Sequence, residues 1–223
     1  MQTMSMEELQ ATAFIDAAHP DVIAYAQARH RAEDSVRTNA VRLYYAVRDD
    51  FRYDPYTLEL TIAGLRASRV LETQRGWCVT KANLLAACCR AVGIPARLGY
   101  ADVRNHLSTQ RMREHMGTDL FVWHGYTDIL IDGTWVKATP AFNIELCEKF
   151  RLHPLEFDGT EDSIYHPFDL DGRQHMEYVN FNGTFTDVPL EAIIKGMHET
   201  YPGMMESAFR GNFDAEVAAE TSQ

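Results

Sequence analysis

The sequence predicts an α+β fold on three observations. Helical periodicity dominates the chain before Gly93. From Arg97 to Ala138 it gives way to strand alternation, with an Asp132-Gly133 turn of the kind that joins hairpin strands. A helical pattern returns at Pro189 to Thr200. The chain is read as one domain, 1–223, made of N-terminal helices (1–50), a central core (51–143) and an acidic C-terminal extension (144–223) packed on that core.

The first helix opens on Pro20, a residue suited to a first helical turn, and carries Val22, Ile23, Ala26 and Arg29 at helical spacing. A second, capped by Asp34 or Ser35, presents Val36, Ala40, Leu43, Tyr44 and Val47 on one face. A short helix is expected near Ser68 to Thr73. Val79 to Val92 is apolar nearly all round, so this helix should be buried on most sides, ending at Gly93 with Pro95 beyond it. Arg97 to Val103 alternates as a strand, and residues 104 to 118 show no strand period and read as a long loop or flap. The hairpin Leu120 to Ile131 and Thr134 to Ala138 follows. Asp171-Gly172 and Asn182-Gly183 are further hairpin-type turns, Asp187 lies near the cap of the closing helix, and the tail from Arg210 to Gln223 reads as frayed.

Among 223 residues, 46% are hydrophobic and 24% charged, an ordinary globular composition that excludes disordered and disulfide-scaffold classes. Four cysteines, two of them the adjacent Cys88 and Cys89, form no spaced framework, so reduced thiols are expected. No run of 18 apolar residues and no leader pattern at Met1 to Asp16 is present, which leads to the expectation of a cytoplasmic protein without a membrane partner. The net charge is −11; residues 1–144 hold 16 Lys/Arg and 16 Asp/Glu, and residues 145–223 hold 5 and 16. Such a field repels phosphate backbones, so nucleic acid is not an expected partner.

Cys78 follows Gly76-Trp77 and opens the long apolar helix. The free N–H groups and partial positive charge of a helix start favour thiolate and can stabilise an oxyanion. A nucleophile there needs a base, which a histidine on a neighbouring strand would supply. Cys88 and Cys89 lie inside the apolar run and read as core residues.

Gly76-Trp77-Cys78, the helix containing Ala82 to Leu85, and the run Cys89 to Tyr100 (CRAVGIPARLGY) together resemble the core signature of the transglutaminase-like superfamily. Val47 to Tyr53 resembles that family's helix-to-Tyr segment, and His124, Asp132-Gly133 and Trp135-Val136 its His-strand-turn-Trp-Val block. The resemblance covers about residues 40 to 140. It implies a papain-like α+β fold, with the nucleophile helix packed on an antiparallel sheet and a C-terminal hairpin and helix added. It also implies acyl transfer from amides or thioesters, with Cys78 as nucleophile and His124 as base.

The family's third catalytic position, an Asp before Pro, is occupied here by Thr139 before Pro140. With a two-residue turn at Asp132-Gly133, paired residue numbers sum to 265, so Thr139 and Asn143 fall on the His124 face, diagonally on either side of Ala141. Either could orient the imidazole. Asp128 shares the face but lies about 13 Å along the strand, too far to serve. The backbone N–H of Cys78 would supply one oxyanion donor and Gln74 or the Trp77 indole a second. Trp77, Trp123 and Tyr126 are expected to wall an acyl cleft together with Gln74.

His106, His115 and His124 recur every nine residues, which is no ligand spacing; His166 and His175 lack cysteine partners, and neither metal nor cofactor is expected. The expected function is cysteine-dependent acyl transfer on a peptide, protein or small amide or thioester, by hydrolysis or transamidation. The alternative is a catalytically silent module that binds a peptide or acylated partner in the same cleft. Segments such as Leu155 to Gly159 and His166 to Asp169 are expected beside the cleft, biasing it toward cationic substrates.

Overall fold

The structure, a computed structural model, describes residues 6–105, 108–164, 170–171, 176–206 and 211–221. A 3-10 turn (Met6–Leu9) precedes α1 (Pro20–Gln27) and α2 (Val36–Asp50). The Oγ of Ser35 accepts from the Thr38 N–H at 3.1 Å, which settles the cap of α2 on Ser35. Ala40, Leu43, Tyr44 and Val47 are buried along one face as the spacing requires, whereas Val36, in the first turn, is exposed.

Two-residue strands β1 (Arg52–Tyr53) and β2 (Arg75–Gly76) pair in parallel, with a 3-10 turn (Pro55–Thr57), α3 (Ile62–Leu65) and α4 (Ser68–Thr73) between them. Directly after β2 the chain enters α5 (Cys78–Ala91), whose residues from Cys78 to Arg90 are all buried. This helix packs between α1 and α2 on one side and the main sheet on the other. Gly93, at φ +79°, ends the helical segment in a conformation that glycine adopts without steric cost.

The sheet is built from β3 (Ala96–Asn105), then, after α6 (Gln110–Met116), from β4 (Leu120–Ile131) and β5 (Thr134–Ala138). The β4/β5 hairpin pairs Thr127 with Ala138 and Ile131 with Thr134, the expected register. Its turn residues Asp132 (φ +52°) and Gly133 (φ +84°) both sit in the left-handed region that a type I′ turn demands. Beyond α7 (Ile144–Lys149), strand β6 (Met176–Phe185) adds to the other edge, giving the antiparallel order β5-β4-β3-β6. The chain closes with α8 (Leu190–Thr200), α9 (Pro202–Glu206) and α10 (Phe213–Thr221). The main hydrophobic cluster draws residues from Phe14 to Val217. No helix among the described residues is long and apolar enough to cross a membrane.

Four expectations are corrected. The 104–118 flap contains α6, because Thr109 Oγ1 caps it by accepting from Met112 N–H at 3.3 Å and Gly117 closes it at φ +67°. Asn182-Gly183 makes no hairpin: it forms a bulge inside β6, where the pairing with β3 shifts register and Gly183 takes φ +105°. Asp187 does not cap α8; its carboxylate accepts from Thr12 Oγ1 at 2.8 Å. Over residues 213–221 the tail is helical, and its acidic side chains pair with arginines of the preceding chain. Asp214 meets Arg52 at 3.2 Å and Arg75 at 3.5 Å, and Glu216 meets Arg111 at 3.0 Å. The Asp171-Gly172 turn is described only at Asp171, and His106, His166, His175 and the 166–169 segment lie outside the described residues.

Candidate active site

Cys78 is the first residue of α5, and the side chain that caps this helix belongs to Thr80, whose Oγ1 accepts from the Trp77 N–H at 3.0 Å. Strand β4 crosses the same helix end. A Cβ on Gly125 would fall 3.0 Å from Val79 Cα, tighter than side chains ordinarily pack, so glycine favours this close approach of the strand. Thr127 Oγ1 fastens the crossing by donating to the Ala82 carbonyl at 2.9 Å. His124 precedes Gly125 and so arrives beside the cysteine.

Cys78 and His124 line one small cavity together with Trp77, Tyr53, Pro55, Leu58, Phe121, Val122 and Tyr201. Four methionines complete it: Met112 and Met116 from α6, Met197 from α8 and Met204 from α9. Its volume is about 50 Å³, room for a few water molecules and no more. The site is closed.

Burial decides the protonation states. Desolvation pushes the Cys78 thiol up to about 11, against the smaller opposing pull of the backbone N–H groups of Gly125, Val79 and Cys78 itself. His124 is pushed down to about 4, again by burial. The expected thiolate-favouring effect of the helix start is therefore present but outweighed by burial, which favours the neutral thiol and the neutral imidazole. No hydrogen bond joins them. Two polar atoms of the cavity residues, His124 Nε2 and Trp77 Nε1, are buried without any hydrogen-bond partner. Leaving such a group unpaired costs about 1–3 kcal/mol, so each marks a place where a ligand or a moving group can bond.

Thr139 and Asn143 are buried near the end of β5, but their polar groups are engaged elsewhere. Thr139 Oγ1 donates to the Ile164 carbonyl at 3.1 Å, and Asn143 Oδ1 accepts from the Tyr53 N–H at 3.0 Å. The reason is that β5 leaves β4 after Ala138 and bridges to Ser163, so the hairpin register does not extend to residue 139. Neither residue bonds to His124.

Three of the expected cleft residues lie elsewhere. Gln74 is exposed at the left-handed end of α4 (φ +58°), where its amide donates to the Leu71 carbonyl at 2.7 Å. The Trp123 ring packs against Tyr100 and Phe185, with Gly196 of α8 beneath it, because a Cβ there would fall 2.2 Å from its Nε1. Tyr126 belongs to a separate cluster with Ala101, Val103 and Met176. Trp77 alone of the four walls the cavity. The segment Leu155 to Gly159 lies along α2 instead, with the Leu155 carbonyl accepting from Tyr44 Oη at 2.9 Å and Glu156 from Tyr45 Oη at 2.5 Å.

Sequence reasoning missed two supports of the site. Lys81, fully buried one turn into α5, donates to the carbonyls of Arg48, Phe51 and Ala141, each at 2.8 Å, tying the end of α2 and the exit from β5 to the nucleophile helix. The second is a bulge in β4 opposite Asp102, where Trp123 takes φ +58°. Asp102 Oδ1 accepts from the Trp123 N–H at 3.0 Å and from Asn182 Nδ2 at 2.7 Å. Tyr201 Oη accepts from the Val122 N–H and donates to the Leu120 carbonyl, both at 2.7 Å. An isolated Asp in a strand and a Tyr after a helix give no sequence signal of this kind.

Among solved structures, similarity is found to a candidate cysteine protease from Cytophaga hutchinsonii, with 15% identity over 83% of this chain and 55% of that one, at a TM-score of 0.48. A candidate protease from Parabacteroides distasonis is similar at 15% identity over 61% and 26% of the two chains, with a TM-score of 0.39. The chain thus spans about half the length of the first and a quarter of the second. No curated protein matches the chain. Residues 23–140, from α1 to the end of the β4/β5 hairpin and including Cys78 and His124, match the core model of the transglutaminase-like superfamily, and on that match the chain belongs to the transglutaminase-like superfamily.

Proposed function

We propose that the protein is a cysteine-dependent acyl-transfer enzyme acting on an amide or thioester. The observation that carries this reading is the shared cavity: Cys78, His124 and Trp77 line one space at the start of a helix, and His124 Nε2 and the Trp77 indole N–H have no hydrogen-bond partner. The thiol proton passes to the imidazole as Sγ attacks the carbonyl carbon. Negative charge builds on the carbonyl oxygen, where the Cys78 N–H and Trp77 Nε1–H can donate. The C–N or C–S bond then breaks, the imidazole returns the proton to the leaving group, and an acyl-enzyme remains. Water or an amine resolves it, giving up its own proton through the imidazole and regenerating the thiol.

A neutral resting pair is compatible with this chemistry, because the proton moves within the attack step and needs no preformed thiolate. A second reading, a binding module without turnover, draws on the position of Thr139 and on the absence of any hydrogen bond to His124 Nε2. Intact-mass measurement after brief exposure to an activated thioester decides between them. An adduct of one acyl group that is absent in Cys78→Ala and strongly slowed in His124→Ala supports the enzyme. Unmodified protein under conditions where the thioester is stable supports the binding module.

A further inference from the structure

Resting on the acyl-transfer reading, we infer that the acyl group accepted at Cys78 is small, uncharged and apolar, of about two to four carbons. Among the described residues that line the cavity, none carries a carboxylate, an ammonium or a guanidinium. Apart from Cys78 and His124, its polar contributions come from the Trp77 indole and the Tyr53 and Tyr201 hydroxyls, and Tyr201 Oη is already committed to the backbone of β4. The remaining wall consists of Leu58, Pro55, Phe121, Val122 and the four methionines. A charged acyl chain placed here would lose its water with no opposite charge to replace it.

The acidic groups of the C-terminal third do not alter this conclusion. Asp214 and Glu216 are paired with Arg52, Arg75 and Arg111, and Glu156 lies against Tyr45 and Arg48. Asp102, the carboxylate nearest His124 along the sheet, is held by the Trp123 N–H and Asn182. An ammonium on the substrate would therefore find no free carboxylate in the cavity wall. Size follows from the volume of about 50 Å³. Unbranched methionine side chains can give way to a short chain, but a long one would have to displace α6 or α8.

The experiment uses the full chain and a set of thiophenyl thioesters: acetyl, butyryl, octanoyl, succinyl and β-alanyl. Acylation of Cys78 is followed by intact mass, with Cys78→Ala subtracted and each rate divided by that of the same thioester with a small thiol. Acetyl and butyryl should react at least about 100-fold faster than succinyl and β-alanyl. Octanoyl should be slow, and Met197→Ala or Met112→Ala should speed it about 10-fold more than acetyl, since either shortens one wall. Charged and apolar acyl groups reacting within about 3-fold of each other at Cys78 would overturn the specificity and leave the acyl-enzyme reading standing. Failure of every thioester to acylate Cys78 would remove that reading and the specificity with it.

Discussion

The carboxylate of Asp102 accepts a hydrogen bond from the backbone N–H of Trp123, the residue immediately before His124, at 3.0 Å. Trp123 is held at φ +58°, where a bulky residue costs about 1–3 kcal/mol, so the bulge persists only because its surroundings enforce it. Asp102 acts here as a hydrogen-bond acceptor. Asp102→Asn keeps an oxygen in place and should retain acylation rates within about 3-fold, whereas Asp102→Ala should lower kcat by at least about 10-fold with KM little changed. Equal losses in the two variants would show that the charge matters and the backbone contact does not.

The Cys78 thiol should be slow toward iodoacetamide. With its pKa pushed up to about 11, the thiolate fraction at pH 7 is about 300-fold below that of a free cysteine. The alkylation rate of the folded protein should keep rising with pH beyond 9, where an ordinary thiol levels off. A plateau near pH 7 would mean that the helix start outweighs burial after all.

His124 makes stability depend on pH. Its folded pKa, about 4, lies below the unfolded value of about 6.5, so between these values the unfolded chain binds the extra proton. The stabilising contribution is complete above pH 6.5 and is lost as pH falls through 4. Its size is about 3 kcal/mol from the shift, read by denaturant unfolding at pH 7 and pH 4. His124→Gln should flatten that part of the profile.

Replacing Lys81 with Met keeps the length of the chain and removes its donors. The carbonyls of Arg48, Phe51 and Ala141 then lose a shared partner in the interior, which should cost about 3 kcal/mol or more. Burial pushes Lys81 down to about 7, yet three carbonyl acceptors call for three N–H donors, which only the ammonium form has. Lys81→Arg should not rescue, because a planar fork cannot reach three carbonyls arranged around one nitrogen.

How far the sequence could be read depends on whether the signal is local. Helix α5, the start of α2 at Asp34 or Ser35 and the β4/β5 turn were legible because periodicity, capping and turn chemistry each act within a few residues. Motifs on either side of that helix pointed to Cys78 and His124, which line one cavity. The orienting role expected of Thr139 and Asn143 extrapolated a correct register past Ala138, where a bridge to Ser163 pulls the strand away, and nothing near residue 139 signals a partner 24 positions later. The cavity wall was hidden for the same reason. Met112 and Met116 share a helix face, but only the fold brings them to Met197 and Met204.

The α10 helix fixes the flap that carries two of those methionines. Glu216 accepts from Tyr56 Oη, from Thr109 Oγ1 at 3.2 Å and from Arg111 Nη1 at 3.0 Å, so one carboxylate joins the tail to the 3-10 turn and to the start of α6. Phe213, on the same helix, packs edge-on against Tyr53 at 5.8 Å between ring centroids, and Tyr53 lines the cavity. A seven-residue helix is marginal without such support. Glu216→Ala should therefore raise amide hydrogen exchange across residues 110–116 by at least about 10-fold and speed Cys78 alkylation in parallel, while exchange in the buried interior of α5 stays unchanged. Loss of protection in α5 to the same degree would mean that Glu216 supports the whole fold, and unchanged exchange in α6 would mean that the flap holds itself.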